Sequence, residues 1–268
     1  MKEKPIGIFD SGVGGLTVLK EISKLLPNES IIYLGDTARV PYGIRSSETV
    51  VKYSIECANF LHKKGIKILV VACNTSSSVS LDILKEKLPI PVIGVIIPGV
   101  KAALKTTKKG KIGVIGTEAT VRSQSYTKRI KEINPAIEVI SKPCPLFVPL
   151  VEEGILEGKI AELVIDRYLK EIKESGIDTL ILGCTHYPLL KKSIQQYMDG
   201  IKLVDSAEEV AIEVKEMLKE LNLLNEDGGK SFKTFYVTDD PERFKKIGEI
   251  FLNYGIEKIF KVSLEEDK

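Results

Sequence analysis

The chain has 268 residues, and its 39 Lys and Arg nearly balance its 37 Asp and Glu, which leaves a formal net charge of +2. This balance does not favour a nucleic-acid-binding protein or a polybasic membrane anchor. No apolar run approaches the roughly 20 residues of a membrane span, and no signal-peptide pattern follows Met1. Because the four cysteines are widely scattered, we expect free thiols in a cytoplasmic protein, and the length favours two domains.

Short apolar runs alternate with helical patterns along the chain, an order typical of α/β proteins with mostly parallel sheets flanked by helices. Most of the runs are continuously apolar, as in strands covered on both faces. The predicted strands are 5–9, 30–35, 66–72 and 91–96 in the first half, then 111–116, 136–142, 179–183 and 201–204 in the second. Beyond them we predict a helix at 207–221, a loop at 225–229, a strand at 232–237, a helix after Pro241 and a strand at 258–262.

The two halves of the chain repeat one pattern. In 65–75 and in 176–186, a glycine opens an apolar run that ends on a cysteine after the same number of residues, at Cys73 and at Cys184. Three further segments match in the same order: 6–11 with 112–117, 40–41 with 148–149, and 92–94 with 203–205. We therefore predict two similar domains related by a pseudo-twofold axis. The first is discontinuous (1–97 plus 207–268), and the second is 98–206.

Polar and reactive side chains follow the predicted strands of both halves. Ligands of open α/β sheets bind at the carboxyl ends of the strands, so these residues are expected to line one cleft between the domains. They are Asp10, Ser11, Asp36, Thr37, Cys73, Asn74, Thr75, Thr117, Cys184, Thr185 and His186. Two thiols from equivalent strands can face each other across such a cleft. That arrangement allows chemistry on both faces of one carbon.

Each cysteine precedes a predicted helix start, and a helix N-terminus lowers a thiol pKa from about 8.5 toward neutrality. Asp10 and His186 are the neighbours expected to tune or orient the two thiols. A structural interpretation competes with this one, because a cysteine after an apolar run is often a core residue and Asp10 can cap a helix. Two cysteines and one histidine lack the spacing of a zinc site, so no metal is predicted.

Four motifs in order resemble the glutamate racemases, the cofactor-independent members of the aspartate/glutamate racemase superfamily. They are Gly-Ile-Phe-Asp-Ser-Gly-Val-Gly-Gly-Leu from Gly7, Gly-Asp-Thr-Ala-Arg-Val-Pro-Tyr-Gly from Gly35, Ala-Cys-Asn-Thr from Ala72 and Gly-Cys-Thr-His-Tyr-Pro from Gly183. The resemblance extends from Gly7 to about Asp205. It implies interconversion of L- and D-glutamate without pyridoxal phosphate or metal, with D-glutamate supplied to peptidoglycan synthesis, and a homodimer in some members.

The resemblance also implies roles for individual residues. Cys73 would deprotonate D-glutamate with help from Asp10, and Cys184 would deprotonate L-glutamate with help from His186. Glu152 is a weaker candidate for supporting His186. The residues expected to bind substrate, with Thr117 added because its hydroxyl can donate a hydrogen bond, are Asp10, Ser11, Pro41, Tyr42, Gly43, Asn74, Thr75, Thr117, Thr185 and His186.

Three other functions stay open at this stage. A racemase of the same superfamily that acts on aspartate would share the two thiols. A thiol hydrolase would use Cys184 with His186, although neighbouring residues at a strand end usually point apart, and Cys73 would then have no role. A two-lobed ligand-binding protein without catalytic activity is the third.

Overall fold

Two parallel β-sheets flanked by helices build the chain in the computed structural model, which describes residues 1–226 and 231–264. The first sheet has the strand order β10-β9-β2-β1-β3-β4, and the second has the order β6-β5-β7-β8. The strands are β1 Ile6–Asp10, β2 Ile31–Gly35, β3 Ile68–Val71, β4 Val92–Gly94, β5 Lys111–Gly116, β6 Glu138–Pro143, β7 Thr179–Gly183, β8 Lys202–Val204, β9 Lys233–Val237 and β10 Ile259–Lys261. The predicted fold class is confirmed.

Helices connect consecutive strands, as parallel pairing requires. In chain order they are α1 Leu16–Leu25, α2 Ser47–Lys63, α3 Asn74–Val79, α4 Leu81–Lys87, α5 Ile96–Thr106, α6 Glu118–Ser123, α7 Ser125–Ile133, α8 Phe147–Glu152, α9 Lys159–Glu174, α10 Lys191–Tyr197, α11 Ala207–Glu220 and α12 Pro241–Leu252. Two short 3-10 helices, Tyr42–Ile44 and Tyr187–Leu190, follow the loops after β2 and β7. β1, β2, β3 and β7 are buried along their whole length, which explains their unbroken apolar sequences.

The repeat seen in the sequence is present in the strand register. Ile6 of β1 pairs with Ile68 of β3, and the matching Ile112 of β5 pairs with Thr179 of β7. The two cysteines lie the same number of residues beyond Ile68 and Thr179. They therefore occupy equivalent positions past the carboxyl ends of equivalent strands.

The match between 40–41 and 148–149 holds in the strand register but not in local conformation. Asp10 of β1 pairs with Gly35, and the matching Gly116 of β5 pairs with Pro143, so the two Val-Pro pairs follow equivalent strand positions at the same distance. Pro41 is extended and precedes a 3-10 helix, whereas Pro149 lies in the first turn of α8. A proline is tolerated in a first helical turn because the backbone N–H groups there have no partner within the helix. The same Val-Pro dipeptide therefore adopts two different conformations.

All the predicted strand bounds are within two residues of those observed. Two of the differences have physical reasons. The strand predicted at 91–96 stops at Gly94 because α5 begins at Ile96. The strand predicted at 136–142 extends to Pro143, which β6 tolerates because it is an edge strand. Of the loop predicted at 225–229, residues 227–229 lie outside the described residues.

The chain returns to the first sheet after the second repeat is complete. β9 pairs with β2, and β10 pairs with β9, so both strands extend the first sheet. α11 packs against α1 and α5, and α12 packs against α1. The last helix is thereby carried back to the carboxyl edge of the first sheet, next to the glycine-rich loop that follows β1.

Candidate active site

Polar side chains from both sheets meet at the carboxyl ends of β1, β3, β5 and β7. Nearly all of the residues predicted to be catalytic or to bind substrate are buried there, including both cysteines, at 5% and 6% exposure. Pro41 is exposed and Glu152 is half-buried. Cys57 and Cys144 are buried free thiols as well, but neither follows a strand in an equivalent register.

Hydroxyl groups join the two sheets at one side of this region. The Oγ1 atoms of Thr75 and Thr117 are 2.9 Å apart, and Thr120 Oγ1 lies 3.0 Å from that of Thr117. Gly43 packs against the same group, since a Cβ at this position would lie 2.5 Å from Thr117 Cβ. Thr120 was not identified from the sequence. It lies in the first turn of α6, where its N–H donates a hydrogen bond to the hydroxyl of the N-cap residue Thr117 at 3.3 Å.

A second connection between the sheets involves Asp10. Thr185 donates a hydrogen bond to Asp10 Oδ1 at 3.2 Å, and the Gly12 N–H donates to Oδ2 at 3.0 Å. Burial raises the pKa of Asp10, while the nearby His186 opposes that shift. Gly14 is required in this loop because a Cβ there would lie 2.6 Å from His186 Nδ1. The loop after β1 thus lies directly against the motif after β7.

Cys73 is the N-cap residue of α3, as predicted, but the expected lowering of its thiol pKa is wrong. Burial above all, and then the charge of Asp10, raise the pKa of Cys73 from 9.0 to about 12. The N–H and hydroxyl groups of Ser76 oppose this shift without cancelling it. The cost of removing a thiolate from water outweighs the effect of one short helix. A charge on Cys184 also raises this pKa, so the two thiols interact electrostatically.

Cys184 has different surroundings, because a 3-10 helix rather than an α-helix follows it. His186 Nδ1 lies 3.9 Å from Cys184 Sγ, and His186 Nε2 lies 3.3 Å from Glu152 Oε1. The expectation that Cys184 and His186 point apart is therefore wrong, since the turn folds the imidazole back onto the thiol. Burial lowers the pKa of His186, but Cys184, Glu152 and Asp10 together outweigh it and raise the pKa to about 10.

Buried hydrogen bonds hold the flanking binding residues. The Tyr42 hydroxyl donates to Asp36, which also accepts hydrogen bonds from Arg39 Nε at 2.7 Å and from Thr238 Oγ1 at 2.9 Å. Tyr126 donates its hydroxyl proton to Asn74 Oδ1 at 2.6 Å. Tyr126 was not identified from the sequence, because nothing in α7 shows that it reaches across to the other sheet.

Two pockets lie near this region. A small one of about 10 Å³ is lined by Asn74, Cys184 and Thr185, among others. A pocket of about 300 Å³ lies nearby and is lined by Gly12, Glu152 and Arg243, among others. Within 1–226 and 231–264, no group of three or more His, Cys, Asp or Glu side chains could hold a metal ion. No helix in this part of the chain is long and apolar enough to cross a membrane.

Comparison with known proteins identifies the family. Residues 6–214 match the family model described as Asp/Glu/Hydantoin racemase. A glutamate racemase of Geobacter metallireducens is 53% identical over 269 residues, which cover 100% of both chains. The glutamate racemase of Francisella tularensis, solved in complex with D-glutamate, is 43% identical, has a TM-score of 0.93 and covers 99% of each chain. Glutamate racemase RacE1 of Bacillus anthracis is 43% identical with a TM-score of 0.94, over 98% of this chain and 99% of that one. The chain therefore belongs to the Asp/Glu/hydantoin racemase family, and it is an isomerase of the glutamate racemase type.

Proposed function

We propose that the protein interconverts L- and D-glutamate by two-base proton transfer at the α-carbon, with Cys73 and Cys184 as the bases, and needs no cofactor. The single observation that carries this proposal is the pair of buried thiols in equivalent strand registers, one from each sheet. In the cell, it would act in the cytoplasm and supply D-glutamate for peptidoglycan.

The reaction from L-glutamate begins with Cys184 as the thiolate. Its sulfur takes the α-proton, and the electron pair left on the α-carbon is protonated on the opposite face by the Cys73 thiol. The product is D-glutamate, with Cys184 now a thiol and Cys73 a thiolate. The reaction from D-glutamate uses the same two groups in reverse. Each thiol must therefore act as an acid in one direction and a base in the other.

The neighbours of the thiols fit these roles. His186 is cationic below pH about 10 and lies 3.9 Å from the Cys184 sulfur, where it stabilises negative charge. Glu152 holds the other imidazole nitrogen. The high pKa of Cys73 keeps it a thiol, which is the form that donates a proton to the L-derived carbanion. For the reverse reaction, the ammonium group of bound substrate would favour the Cys73 thiolate.

Substrate binding would use the donors gathered where the sheets meet. The hydroxyls of Ser11, Thr75, Thr117 and Thr185 and the amide of Asn74 suit two carboxylates, and Asp10 suits the ammonium. Because both thiols are almost fully buried, glutamate would enter after the domains 1–97 plus 207–268 and 98–206 separate. Closure would then exclude water and strengthen each polar contact. By family resemblance we also propose a homodimer, which sedimentation velocity would test.

The test uses purified protein with no added cofactor in deuterated water. L-glutamate should lose optical rotation and gain α-deuterium, D-glutamate should do the same, and L-aspartate should react much more slowly. Faster racemisation of L-aspartate than of L-glutamate would instead assign the activity to aspartate. A Cys184→Ala protein that retains full racemisation would overturn the two-base mechanism.

One observation favours a second candidate, a thiol hydrolase. Cys184, His186 and Glu152 form a chain with separations of 3.9 and 3.3 Å, the order of nucleophile, base and orienting acid. This candidate leaves Cys73 without a role. Hydrolysis of activated glutamyl esters would support this candidate, provided that the Cys73→Ala protein keeps the hydrolytic activity and the Cys184→Ala protein loses it.

A further inference from the structure

The last helix of the chain reaches the acid–base group of the second sheet. α12 begins beyond residue 214, where the match to the family model ends. Phe251 of α12 packs edge-on against the His186 ring, with ring centroids 6.1 Å apart and an interplanar angle of 89°. Arg243 of the same helix lies 4.0 Å from Glu152 Oε2 through its Nη2 atom. A helix of the first sheet therefore contacts both members of the His186–Glu152 pair, which belongs to the second.

The contacts form one continuous chain of groups. Glu152 uses Oε1 for His186 and Oε2 for Arg243, so each carboxylate oxygen has its own cationic partner. His186 in turn faces the Cys184 sulfur through its other nitrogen. The Arg243 contact is electrostatic, since the same Nη2 atom donates its hydrogen bond to Glu153 Oε1 at 3.5 Å, and rotation of the Glu152 carboxylate away from the imidazole would weaken it. Arg243 is thus placed to fix the orientation of Glu152.

α12 is anchored where it makes these contacts. The Asp240 side chain accepts a hydrogen bond from the Arg243 N–H at 3.0 Å, which caps the first turn of the helix. Phe244 packs on Tyr33, with ring centroids 5.9 Å apart, and closely approaches Gly35. The turn that carries Arg243 is therefore tied to the carboxyl edge of the first sheet, and the position of its guanidinium is not set by Glu152 alone.

We propose that α12 is a positioning element for the Cys184 half of the site, with Arg243 orienting Glu152 and Phe251 holding the His186 ring. This inference rests on the proposed function for its catalytic meaning. The charged groups around Glu152 are His186 beyond β7, Arg243 on α12 and its neighbour Glu153, which pairs with Arg243 at 3.5 Å. Around His186 they are Asp10, Cys184 and Glu152. Asp239 and Asp240 line the same pocket as Arg243, and Asp239 is paired with Lys261 at 2.6 Å.

Arg243 lowers the pKa of Glu152, together with His186 and against the effect of burial. Removal of Arg243 should therefore let Glu152 take up its proton at a higher pH. At that pH His186 should lose the Glu152 carboxylate as its counter-ion. In Arg243→Gln, the acid limb of kcat/KM should move up by roughly 0.3–0.7 pH unit, a size typical of a partly exposed ion pair. On that limb, kcat/KM should fall about threefold. Arg243→Lys should recover most of the shift.

The test should follow the His186 imidazole by NMR across pH. The chain has two histidines, His62 and His186, so a His62→Gln background leaves one imidazole signal to assign. When the chemical shift of that signal is plotted against pH, the inflection on the acid side should move to a higher pH in Arg243→Gln and return toward the wild-type pH in Arg243→Lys. Phe251→Leu should lower kcat without moving the inflection. Arg129→Gln is the matched control, because Arg129 is similarly exposed and pairs with Glu132 at 2.9 Å on another helix.

The outcomes separate this inference from the proposed function. An unchanged inflection in folded Arg243→Gln would overturn the role of Arg243, whatever the activity of the wild type. A shifted inflection in a protein that fails to racemise glutamate would support the positioning role and overturn the proposed function instead. Wild-type kcat in folded Phe251→Leu would overturn the role of Phe251.

Discussion

The two thiol sites occupy equivalent places in the two sheets but have neighbours of opposite charge. Cys73 lies at the N-terminus of α3 beside Asp10, and its pKa is raised to about 12. Cys184 precedes a 3-10 helix and lies beside His186, which carries a positive charge up to pH about 10. The repeat fixes where the sulfurs are, whereas the loops after the strands fix their protonation. One thiol is set to donate a proton and the other has a cation that stabilises negative charge.

The largest expected effect is the loss of activity when either thiol is removed, because the comparison gives each thiol its own part in proton transfer. Cys73→Ser and Cys184→Ser should each lower kcat for both enantiomers at least about 100-fold, because each removes a proton-transfer group. Cys144→Ala is the matched control, since Cys144 is also buried but its sulfur contacts only a backbone carbonyl among the hydrogen bonds described. It should keep near-wild-type kcat. Retention of more than about a tenth of kcat in either serine variant would contradict the account.

Replacing His186, the cationic neighbour of Cys184, should have the second largest effect on kcat. His186→Asn should lower kcat by about 100-fold, the low end for a group engaged in proton transfer, because the substitution removes the charge that stabilises the Cys184 thiolate. Since the equilibrium constant of a racemisation is one, kcat/KM must fall by the same factor in both directions. Steady-state rates from L- and D-glutamate check both statements. Unchanged rates would show that His186 has only a structural role.

The raised pKa of His186 also predicts a pH dependence of stability. A folded-state pKa of about 10 against an ordinary 6.5 stabilises the fold fully below about pH 6.5, and this stabilisation is lost as pH rises through 10. Urea unfolding should show a loss of about 3.5 kcal/mol between pH 7 and pH 10. Cys73 adds a loss of the same sign above pH 9. His186→Asn should show a clearly smaller loss over this range, and equal losses would contradict the assignment.

The smallest expected effect concerns the contact between the halves. Gly43→Ala would place a Cβ 2.5 Å from Thr117 Cβ, so the loop must shift, at a cost of about 1 kcal/mol. We expect KM for glutamate to rise several-fold with little change in kcat. Gly255→Ala is the control, because its Cβ would meet Glu249 at 3.8 Å, an ordinary contact. A fall in kcat alone would argue against a binding role for the 42–43 turn.

Much of the fold was predictable because the strands are short, buried and continuously apolar. The register equivalence of the two cysteines followed from the equal spacing in the two copies, and the structure bears it out. The match of Val40 and Pro41 with Val148 and Pro149 is also borne out by the register, but the sequence did not show that Pro41 is extended whereas Pro149 lies in a first helical turn. A short match can therefore identify equivalent positions without predicting the same conformation.

The site was predictable in its members but not in its electrostatics. Cys73 was expected to be acidified by a helix N-terminus, yet burial dominates, and burial depends on how the two halves close over the thiol. Arg243, Phe251 and Tyr126 come from distant helices, and nothing in their local sequence shows that they reach the site. Residues at strand ends can be assigned from a sequence, whereas partners contributed by packing require the fold.

The most direct test of the two-base claim is the fate of the α-proton in the first turnovers of the wild-type protein. L-glutamate should be incubated in deuterated water and stopped at low conversion, and the deuterium content of the L and D pools measured separately. The account predicts that D-glutamate carries solvent deuterium while the remaining L-glutamate carries almost none, because one thiol keeps the abstracted proton and the other delivers a solvent-derived one. D-glutamate that retains the original α-proton, or equal deuterium in both pools, would contradict it.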